Sequence, residues 1–455
     1  MTEQEKIEWL VDPEKFFPRV LRCGELRGNM PFIEATSRYY NLLSESQFWP
    51  LGRLEEIQVR RIRALTGRIA ARSSFWANLF RERGFLPEKA TLKDMTCLPV
   101  LGRKDILGFG ESIYVEPENS DYPLFTHMGS GTTGVPLKFI NSERMLLIGQ
   151  TPSHFRHPVF KQRSLAKLLS RKPYVVLGMP GTRHTLGKDF YHRAFETIQS
   201  LDLERPELRN EIYNSIREAA PAILTGFGSL VAKLAEWAFK DRVTLPLLAV
   251  KLASEPISFF ERETIYKVFK APIVNYLSYS GVGAIGFECP ENPERFHISA
   301  ENVILEIING ELVATSLAFI LTPIIRFALG DIGRMVPETC PCGRTLPLFE
   351  FQGRRGYEVV LPNGKKIRMI LIHRALMEQR LGYRAKQIQI IQNRPDNLRL
   401  LIIPKIRFND LDEVNIRLAL TQLFGGEKMN IDIEYVESIP AGRGHKPSLF
   451  VPLEN

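Results

Sequence analysis

The sequence lacks the features that mark secreted, membrane-spanning and disulfide-stapled proteins. Its 455 residues include only 5 cysteines, a small and odd number that argues against a framework of disulfides. No apolar run approaches the roughly 18 residues that a membrane-spanning helix needs. The first residues are charged and show no basic head followed by an apolar stretch, as a secretion signal would. These absences predict a cytoplasmic protein without a membrane span.

Long runs of lysine and arginine are also absent, although the formal net charge is +9. The 51 acidic residues are interspersed among 60 basic ones, and no basic stripe alternates with aromatic residues. Nucleic acid is therefore not an expected partner, whereas a diffuse positive surface suits a small anionic ligand such as a nucleotide. The length exceeds what one core usually holds, so at least two domains are expected.

The apolar patterning changes along the chain. Residues up to about 125 are patterned as helices, and the stretch 54–84 predicts a helix that ends at Gly84. From about 120 to 335, short apolar runs alternate with helical segments, which is typical of an α/β fold. The buried strands predicted in this region are 173–178, 222–226, 247–254 and 271–279, and the helices between them are 229–239 and 261–269.

The carboxyl-terminal part has a different character and predicts a small β-β-α-β unit. Two strands flank a Pro-Asp-Asn turn, and a helix and a further strand follow. We expect Asp410 to cap this helix with Glu413 as its reciprocal partner, and Gly425 to end it. The boundary is expected where glycines and charges interrupt the pattern, between residues 353 and 354.

A run of glycine, serine and threonine is the most informative short stretch. Glycines allow backbone N–H groups to converge, and hydroxyl groups add hydrogen-bond donors without bulk, so such a loop suits phosphate. It is not a Walker A motif, because no Gly-Lys-Ser/Thr follows. Taken alone, the run is equally compatible with a surface turn. Its residues are Ser130, Gly131, Thr132, Thr133 and Gly134.

Further motifs follow in a fixed order: "ASEPIS" (253–258), "TPIIRFALGDIGRM" (322–335), "CPCGRTLPLFEFQGR" (340–354) and "IPAGRGHK" (439–446). Together with the loop, they resemble the adenylate-forming enzymes, the acyl- and aryl-CoA synthetase superfamily. Within it, the phenylacetate–CoA ligase-like branch is the most similar. The resemblance covers most of the chain. It implies an α/β fold with a large multi-layer adenylation domain at 1–353 and a small mobile α+β domain at 354–455.

The resemblance also implies roles for single residues. The loop would hold the β- and γ-phosphates of ATP, and Asp331 would accept hydrogen bonds from the ribose hydroxyls. Arg354 would contact ribose or phosphate, and Arg326 would support its own loop rather than touch substrate. Lys446 would be the catalytic cation that bridges the carboxylate and the α-phosphate. The adenine side would be formed by Ser254, Glu255, Pro256 and Tyr276, with Tyr279 as the alternative to Tyr276.

One expected element is missing. Relatives carry a glutamate that holds Mg²⁺, but the corresponding position here is Gly281, and no acid occurs between Glu263 and Glu288. Two interpretations remain open at this point. Either Mg²⁺ is held by phosphates and water with Glu255 or Glu288 nearby, or the protein has lost adenylation.

Three cysteines and a histidine predict a second, structural metal site. One imidazole and three thiolates complete the tetrahedral shell that structural Zn²⁺ prefers. The alternative is that these are small buried residues in turns. Some members of the resembled branch carry a metal in a similar place. The residues are Cys289, His297, Cys340 and Cys342.

The predicted function is therefore ATP-dependent adenylation of a carboxylic acid, followed by transfer of the acyl group to CoA with release of AMP and pyrophosphate. The branch resemblance favours an aromatic acid, with ATP, Mg²⁺ and CoA as the other participants. Two alternatives stay open: an adenylating enzyme with a non-CoA acceptor, such as an amide ligase or adenylyltransferase, and a degenerate nucleotide- or acyl-binding homologue. A homodimer is also left open.

Overall fold

The computed structural model describes most of the chain, in the following stretches: 1–17, 30–117, 124–129, 137–142, 155–160, 168, 174–178, 192–196, 203–252, 257, 259–318, 321–379, 381–439 and 450–453. Helices dominate as far as residue 113, as predicted. Within these stretches, none of the helices is both long and apolar enough to cross a membrane. The amino-terminal helices are α1 (Glu3–Val11), α2 (Met30–Ser46), α3 (Leu51–Arg72), α4 (Ser74–Glu82) and α5 (Arg103–Phe109), with short 3₁₀ turns at Pro13–Phe16, Asp94–Cys97 and Gly110–Ile113.

The prediction of a single helix over 54–84 is wrong in one respect, because this stretch forms two helices, α3 and α4. The chain breaks at Ser73, whose extended backbone ends α3 and whose hydroxyl accepts a hydrogen bond from the Trp76 backbone N–H. Serine is a favoured residue at this position because its oxygen satisfies a free N–H of the new helix. Gly84, with φ of +63°, lies just beyond the end of α4, as predicted.

The centre of the molecule is built from strands. A hairpin, β1 with β2, stands beside one large sheet of the order β10-β11-β12-β13-β9-β8-β7-β6-β5-β3-β4. The strands are β1 (Leu124–Gly129), β2 (Leu137–Ser142), β3 (Tyr174–Gly178), β4 (His192–Glu196), β5 (Ala222–Gly226), β6 (Leu247–Leu252), β7 (Ile273–Tyr279), β8 (Gly283–Cys289), β9 (Asn292–Ile298), β10 (Val303–Ile308), β11 (Glu311–Ser316), β12 (Phe327–Val336) and β13 (Leu348–Arg354).

One half of this sheet is parallel and is covered on both faces. Strands β3 to β7 pair in parallel, and such strands are normally buried on both sides. One face packs against α6 (Pro206–Glu218), α7 (Gly228–Lys240) and α8 (Phe259–Phe269). The other face packs into the main core, which it shares with the amino-terminal helices. The predicted strands and helices of this region are confirmed.

The carboxyl-terminal part has its own sheet and its own core. The sheet has the order β18-β17-β16-β19, and the predicted β-β-α-β unit is confirmed as β16, β17, α11 and β18. The elements are β14 (Glu358–Val360), β15 (Lys366–Arg368), α9 (Met369–Glu378), α10 (Leu381–Arg384), β16 (Ala385–Arg394), β17 (Asn397–Pro404), α11 (Asp410–Leu423), β18 (Asn430–Tyr435) and β19 (Phe450–Val451).

The predicted cap of α11 is wrong by one residue. Asn409, not Asp410, is the cap, and its side chain accepts a hydrogen bond from the Asp412 backbone N–H. Asp412, not Glu413, completes the reciprocal bond. Asparagine and aspartate cap helices about equally well, so composition alone did not distinguish neighbouring positions.

Candidate active site

The predicted phosphate loop connects the two strands of the β1–β2 hairpin. The last paired residues are Gly129 and Leu137, which lie opposite one another. Ser130, Gly131, Thr132, Thr133 and Gly134 lie outside the described residues, so their predicted role stays a prediction. The same holds for Ser254, Glu255, Pro256 and Lys446.

Asp331 and Arg354 are brought together by the pairing of β12 with β13. They are direct partners in the strand register, and Arg354 Nε lies 3.1 Å from Asp331 Oδ1. Asp331 is 7% exposed. Burial raises the pKa of Asp331, and the Arg354 guanidinium opposes that shift. The pair therefore offers a buried, oriented carboxylate beside a partly exposed cation, which suits a ligand that carries both hydroxyl groups and negative charge.

Of the two candidate tyrosines, Tyr279 is the one influenced by this pair. Arg354 and Asp331 both act on the pKa of Tyr279, which desolvation raises. Its ring is half-buried and lies 5.5 Å from the ring of Phe327. Tyr276 is 5% exposed and belongs to the main core. Tyr279 is thus the better placed aromatic for a nucleotide bound at Asp331.

Arg326 has the supporting role that was predicted. Its guanidinium donates to both carboxylate oxygens of Glu306, at 3.0 and 2.9 Å. It also donates to the backbone carbonyls of Thr96 and Leu98. These bonds connect the start of β12 to the amino-terminal region. They therefore help to hold in place the strand that carries Asp331.

The position expected to carry the Mg²⁺ ligand is sterically closed. A Cβ atom placed on Gly281 would lie 2.4 Å from Phe139 Cε1 and 2.9 Å from Ile324 Cγ1. Phe139 is 0% exposed and comes from β2, which follows the predicted phosphate loop. A benzene ring therefore fills the space next to Gly281 where a glutamate side chain would have to begin.

Glu288, which was expected near Mg²⁺, has another role. Both of its oxygens accept hydrogen bonds from Arg262 Nη2 at 2.9 Å, and one also accepts from the Glu294 backbone N–H. The side chain is 6% exposed. Glu288 is therefore engaged in a partly buried ion pair, and its expected place near Mg²⁺ stays a prediction. Glu255 lies outside the described residues.

The cysteine and histidine residues converge as predicted. The ligand atoms of Cys289, His297, Cys340 and Cys342 all lie within 4.8 Å of one another. Cys289 Sγ is 3.4 Å from Cys340 Sγ, and Cys342 Sγ is 3.3 Å from His297 Nε2. A tetrahedral zinc with Zn–S bonds of about 2.3 Å would place its ligand atoms about 3.8 Å apart. The spacing of the four donors fits such an ion.

The surroundings of this centre also suit a metal. His297 Nδ1 lies 3.2 Å from the Leu346 carbonyl, and donation to that oxygen leaves Nε2 free to face the thiols. Desolvation lowers the pKa of His297 to about 4, so the imidazole is neutral at pH 7. Desolvation raises the pKa of Cys289 to about 12, which disfavours a thiolate unless a cation is present. These residues would hold Zn²⁺ as a closed structural site.

Replacing Cys342 with serine is expected to remove the metal and lower the melting temperature by several degrees. Purified protein should contain about one zinc per chain and Cys342→Ser nearly none, because the closed site needs four ligands. Elemental analysis and thermal unfolding measure both effects. Cys97→Ser is the matched control, since Cys97 is exposed. Equal zinc content in the two variants would contradict the assignment.

One residue of interest was missed from the sequence. Lys251 lies on β6, within an otherwise apolar run, and its Nζ is 5.2 Å from the centre of the Tyr276 ring. The signal was present in the sequence as a single charge in a predicted buried strand. The apolar pattern around it indicates a strand but not which side chains surround the ammonium group.

Comparisons with known proteins agree with the resemblance found in the sequence. A family model described as the CapK C-terminal domain matches residues 359–451. Phenylacetate-coenzyme A ligase of Thermus thermophilus is 23% identical over 324 residues, 66% of this chain and 70% of that protein. These matches confirm the resemblance to adenylate-forming enzymes of the phenylacetate–CoA ligase-like branch.

Solved structures show the same fold. A 2-hydroxyisobutyryl-CoA ligase in the postadenylation state has a TM-score of 0.68 at 16% identity, covering 90% of this chain and 91% of that one. An acyl acid amido synthetase has a TM-score of 0.52 at 13% identity, with 87% and 88% covered. The predicted α/β fold with a carboxyl-terminal domain is confirmed.

Proposed function

We propose that this chain activates a carboxylic acid with ATP and transfers the acyl group to CoA. In the first step a carboxylate oxygen attacks the α-phosphorus, an acyl adenylate forms and pyrophosphate leaves. In the second step the thiolate sulfur of CoA attacks the acyl carbon, and AMP leaves with the electron pair of the broken C–O bond. An aromatic acid is the favoured substrate.

The observation that carries this proposal is the Asp331–Arg354 pair. Two residues assigned to nucleotide binding from separate motifs lie opposite each other on neighbouring strands, 3.1 Å apart. A carboxylate can accept hydrogen bonds from both ribose hydroxyls, while a guanidinium neutralises phosphate charge. The phenylacetate–CoA ligase relative supports the same activity, and the 2-hydroxyisobutyryl-CoA ligase shares the fold over 90% of this chain.

The remaining roles follow from the sequence motifs. The loop at 130–134 would bind the β- and γ-phosphates, residues 254–256 and Tyr279 would flank adenine, and Lys446 would draw the two anions together. Since Gly281 is closed by Phe139, Mg²⁺ would enter with ATP as its phosphate complex. In this proposal residues 1–353 bind nucleotide and acid, and residues 354–455 form a mobile lid. The enzyme would act in the cytoplasm.

Two rival functions have specific support. The likeness in fold to an acyl acid amido synthetase is compatible with an amine acceptor in place of CoA. The ring of Phe139 beside Gly281 favours a homologue that binds nucleotide without catalysis. Product analysis with CoA or amino acids as acceptor separates the first rival from the ligase, and ATP binding without pyrophosphate exchange would identify the second.

Asp331→Asn is expected to raise the KM for ATP by about 10- to 100-fold, because a charged hydrogen-bond acceptor is worth about 1.5–3 kcal/mol. The KM is measured by ATP–pyrophosphate exchange at varied ATP concentration. The matched control is Glu350→Gln, which breaks the Arg334–Glu350 pair (2.7 Å) on the same two strands. An unchanged KM in Asp331→Asn, or an equal rise in the control, would contradict the assignment.

A further inference from the structure

Helix α11 in the carboxyl-terminal part has an apolar stripe on its outer side. Leu411 is 66% exposed, Val414 47% and Leu418 53%. Their spacings of three and four residues place these side chains on one face of the helix, along about two turns. The opposite face packs into the core of the same part through Ile416 and Leu420, which are buried. The helix is therefore apolar on two opposite sides, and only one of them is buried.

The outer face of α11 is also uncharged along the apolar stripe. Among the side chains of α11, all of which the structure describes, the exposed ones beyond the stripe are Asp410 at its start, Asn415, Thr421 and Gln422. Ion pairs within the carboxyl-terminal part hold the other charged residues, which are half-buried: Asp412, Glu413 and Arg417. A solvated helix normally has charged and polar residues opposite its buried face. A contiguous apolar outer face instead indicates a surface that a partner covers.

We propose that the apolar stripe is a self-association surface, through which two copies of this chain pair by their α11 helices in antiparallel orientation. This inference goes beyond the proposed function and does not depend on it. Most soluble oligomers are symmetric, and a two-fold axis places the same surface of each copy face to face. One helix face buries less area than the roughly 1,200–2,000 Å² of stable interfaces, so the dimer should be weak, with a Kd on the order of 10 μM.

The apolar stripe is complementary to a copy of itself. Leu411 and Leu418 lie about one turn on either side of its centre, which falls between Val414 and Asn415. In the antiparallel pair, Leu411 of each copy therefore packs against Leu418 of the other, and the two Asn415 side chains meet at the two-fold axis. An amide both donates and accepts hydrogen bonds, so Asn415 can pair with its own counterpart. A single asparagine of this kind fixes the register of paired helices.

The charges at the edge of this face favour the same arrangement. Asp410 and Arg417 lie along one edge of α11, because the distance between them in the sequence is close to two helical turns. A two-fold axis perpendicular to the helices sets that edge against the same edge of the partner in the reverse direction, so Asp410 of each copy lies near Arg417 of the other. Both can be reached, since Asp410 is exposed and the Arg417 side chain is 42% exposed. Opposite charges placed in this way fix the register of the pair.

Sedimentation velocity at chain concentrations from about 1 to about 100 μM tests the proposal. We expect the wild-type chain to change from monomer to dimer over this range. Leu418→Glu should raise the dissociation constant at least about 100-fold, because the dimer would then bury two carboxylates against apolar side chains. The melting temperature of this variant at low concentration should match that of the wild type, since Leu418 is 53% exposed in the single chain.

Phe239→Glu is the matched control, because Phe239 is 74% exposed on α7 and lies outside the apolar stripe. This variant should dimerise as the wild type does. A wild-type chain that stays monomeric at about 100 μM would overturn the inference, and so would an unchanged dissociation constant in Leu418→Glu. An equal loss of the dimer in Leu418→Glu and Phe239→Glu would also overturn it, because the apolar stripe would then not be the specific surface.

A disulfide cross-link tests the antiparallel geometry with all three residues of the apolar stripe in place. Cys97→Ser serves as the background, because it removes an exposed thiol. In this background, Asn415→Cys should form a covalent dimer on oxidation with copper–phenanthroline, since its two sulfur atoms would meet at the two-fold axis. Gln422→Cys should not, because the antiparallel pair would separate its two copies by about 22 Å along the helix. Equal cross-linking of both variants, or of neither, would overturn the inference and leave the proposed function unaffected.

Discussion

Replacing Lys446 with alanine is expected to slow acid-dependent ATP–pyrophosphate exchange by about 10²–10³-fold. The reaction brings a carboxylate and a phosphate, both anionic, into contact, and a positioned cation stabilises the charge as they approach. Removing one such preorganised group typically costs about that factor. Binding of ATP alone should change little, because the cation acts mainly where the two anions meet.

The structure supports this expectation through the ends of the segment that carries Lys446. Residues 440–449 lie outside the described residues, but Ile439 before them is 8% exposed and Phe450 after them is 1% exposed. Phe450 pairs with Ile390 in the carboxyl-terminal sheet. The segment begins shortly after β18 and ends in β19, so both of its ends belong to the carboxyl-terminal part, which is compatible with the proposed lid that carries Lys446.

Lys428→Ala is the control for this variant, since Lys428 is an exposed lysine of the same domain. Its exchange rate should match the wild type. If Lys446→Ala exchanged within about twofold of Lys428→Ala, Lys446 would not be the catalytic cation, because removal of a group at the transition state costs far more.

Gly281→Glu is expected to destabilise the protein by about 3–5 kcal/mol, instead of restoring the Mg²⁺ ligand. The first added carbon would lie 2.4 Å from the Phe139 ring, and overfilling a packed core costs about 1–3 kcal/mol. Burial of the new carboxylate adds a further penalty. Denaturant unfolding measures the change, and exchange activity should fall with it.

Two further variants give this prediction its controls. Gly67→Ala lies in the interior of α3, where a Cβ would meet nothing within 4 Å, and should stabilise the helix by about 0.5–1 kcal/mol. Phe139→Ala combined with Gly281→Glu should be less destabilised than the sum of the single changes, because the ring is the obstacle. If the changes in unfolding free energy were strictly additive, the Phe139 ring would not be the group that blocks a side chain at position 281.

Local patterns in the sequence determined most of what could be predicted about the fold. The parallel strands from 173 to 279 were found because strands with both faces covered are continuously apolar. The break at Ser73 was not predicted, and the cap of α11 was misplaced by one residue, since several neighbouring residues could form each hydrogen bond. Such choices depend on the tertiary contacts of the whole helix, which a local pattern does not contain.

The site was predictable only where a motif specified it. Asp331 and Arg354 were assigned from separate motifs, and the strand register then placed them side by side. The roles of Phe139 and Glu288 could not be foreseen, because each depends on a partner distant in the sequence, Gly281 and Arg262. Lys251 was visible as a charge in a buried strand, but its aromatic neighbours come from β3 and β7.

The measurement that tests the central claim most directly is Mg²⁺- and acid-dependent ATP–pyrophosphate exchange by the wild-type chain, with a panel of aromatic and aliphatic acids. The account predicts exchange with at least one aromatic acid, and formation of its CoA thioester and AMP when CoA is added. ATP binding without exchange for every acid in the panel would contradict it.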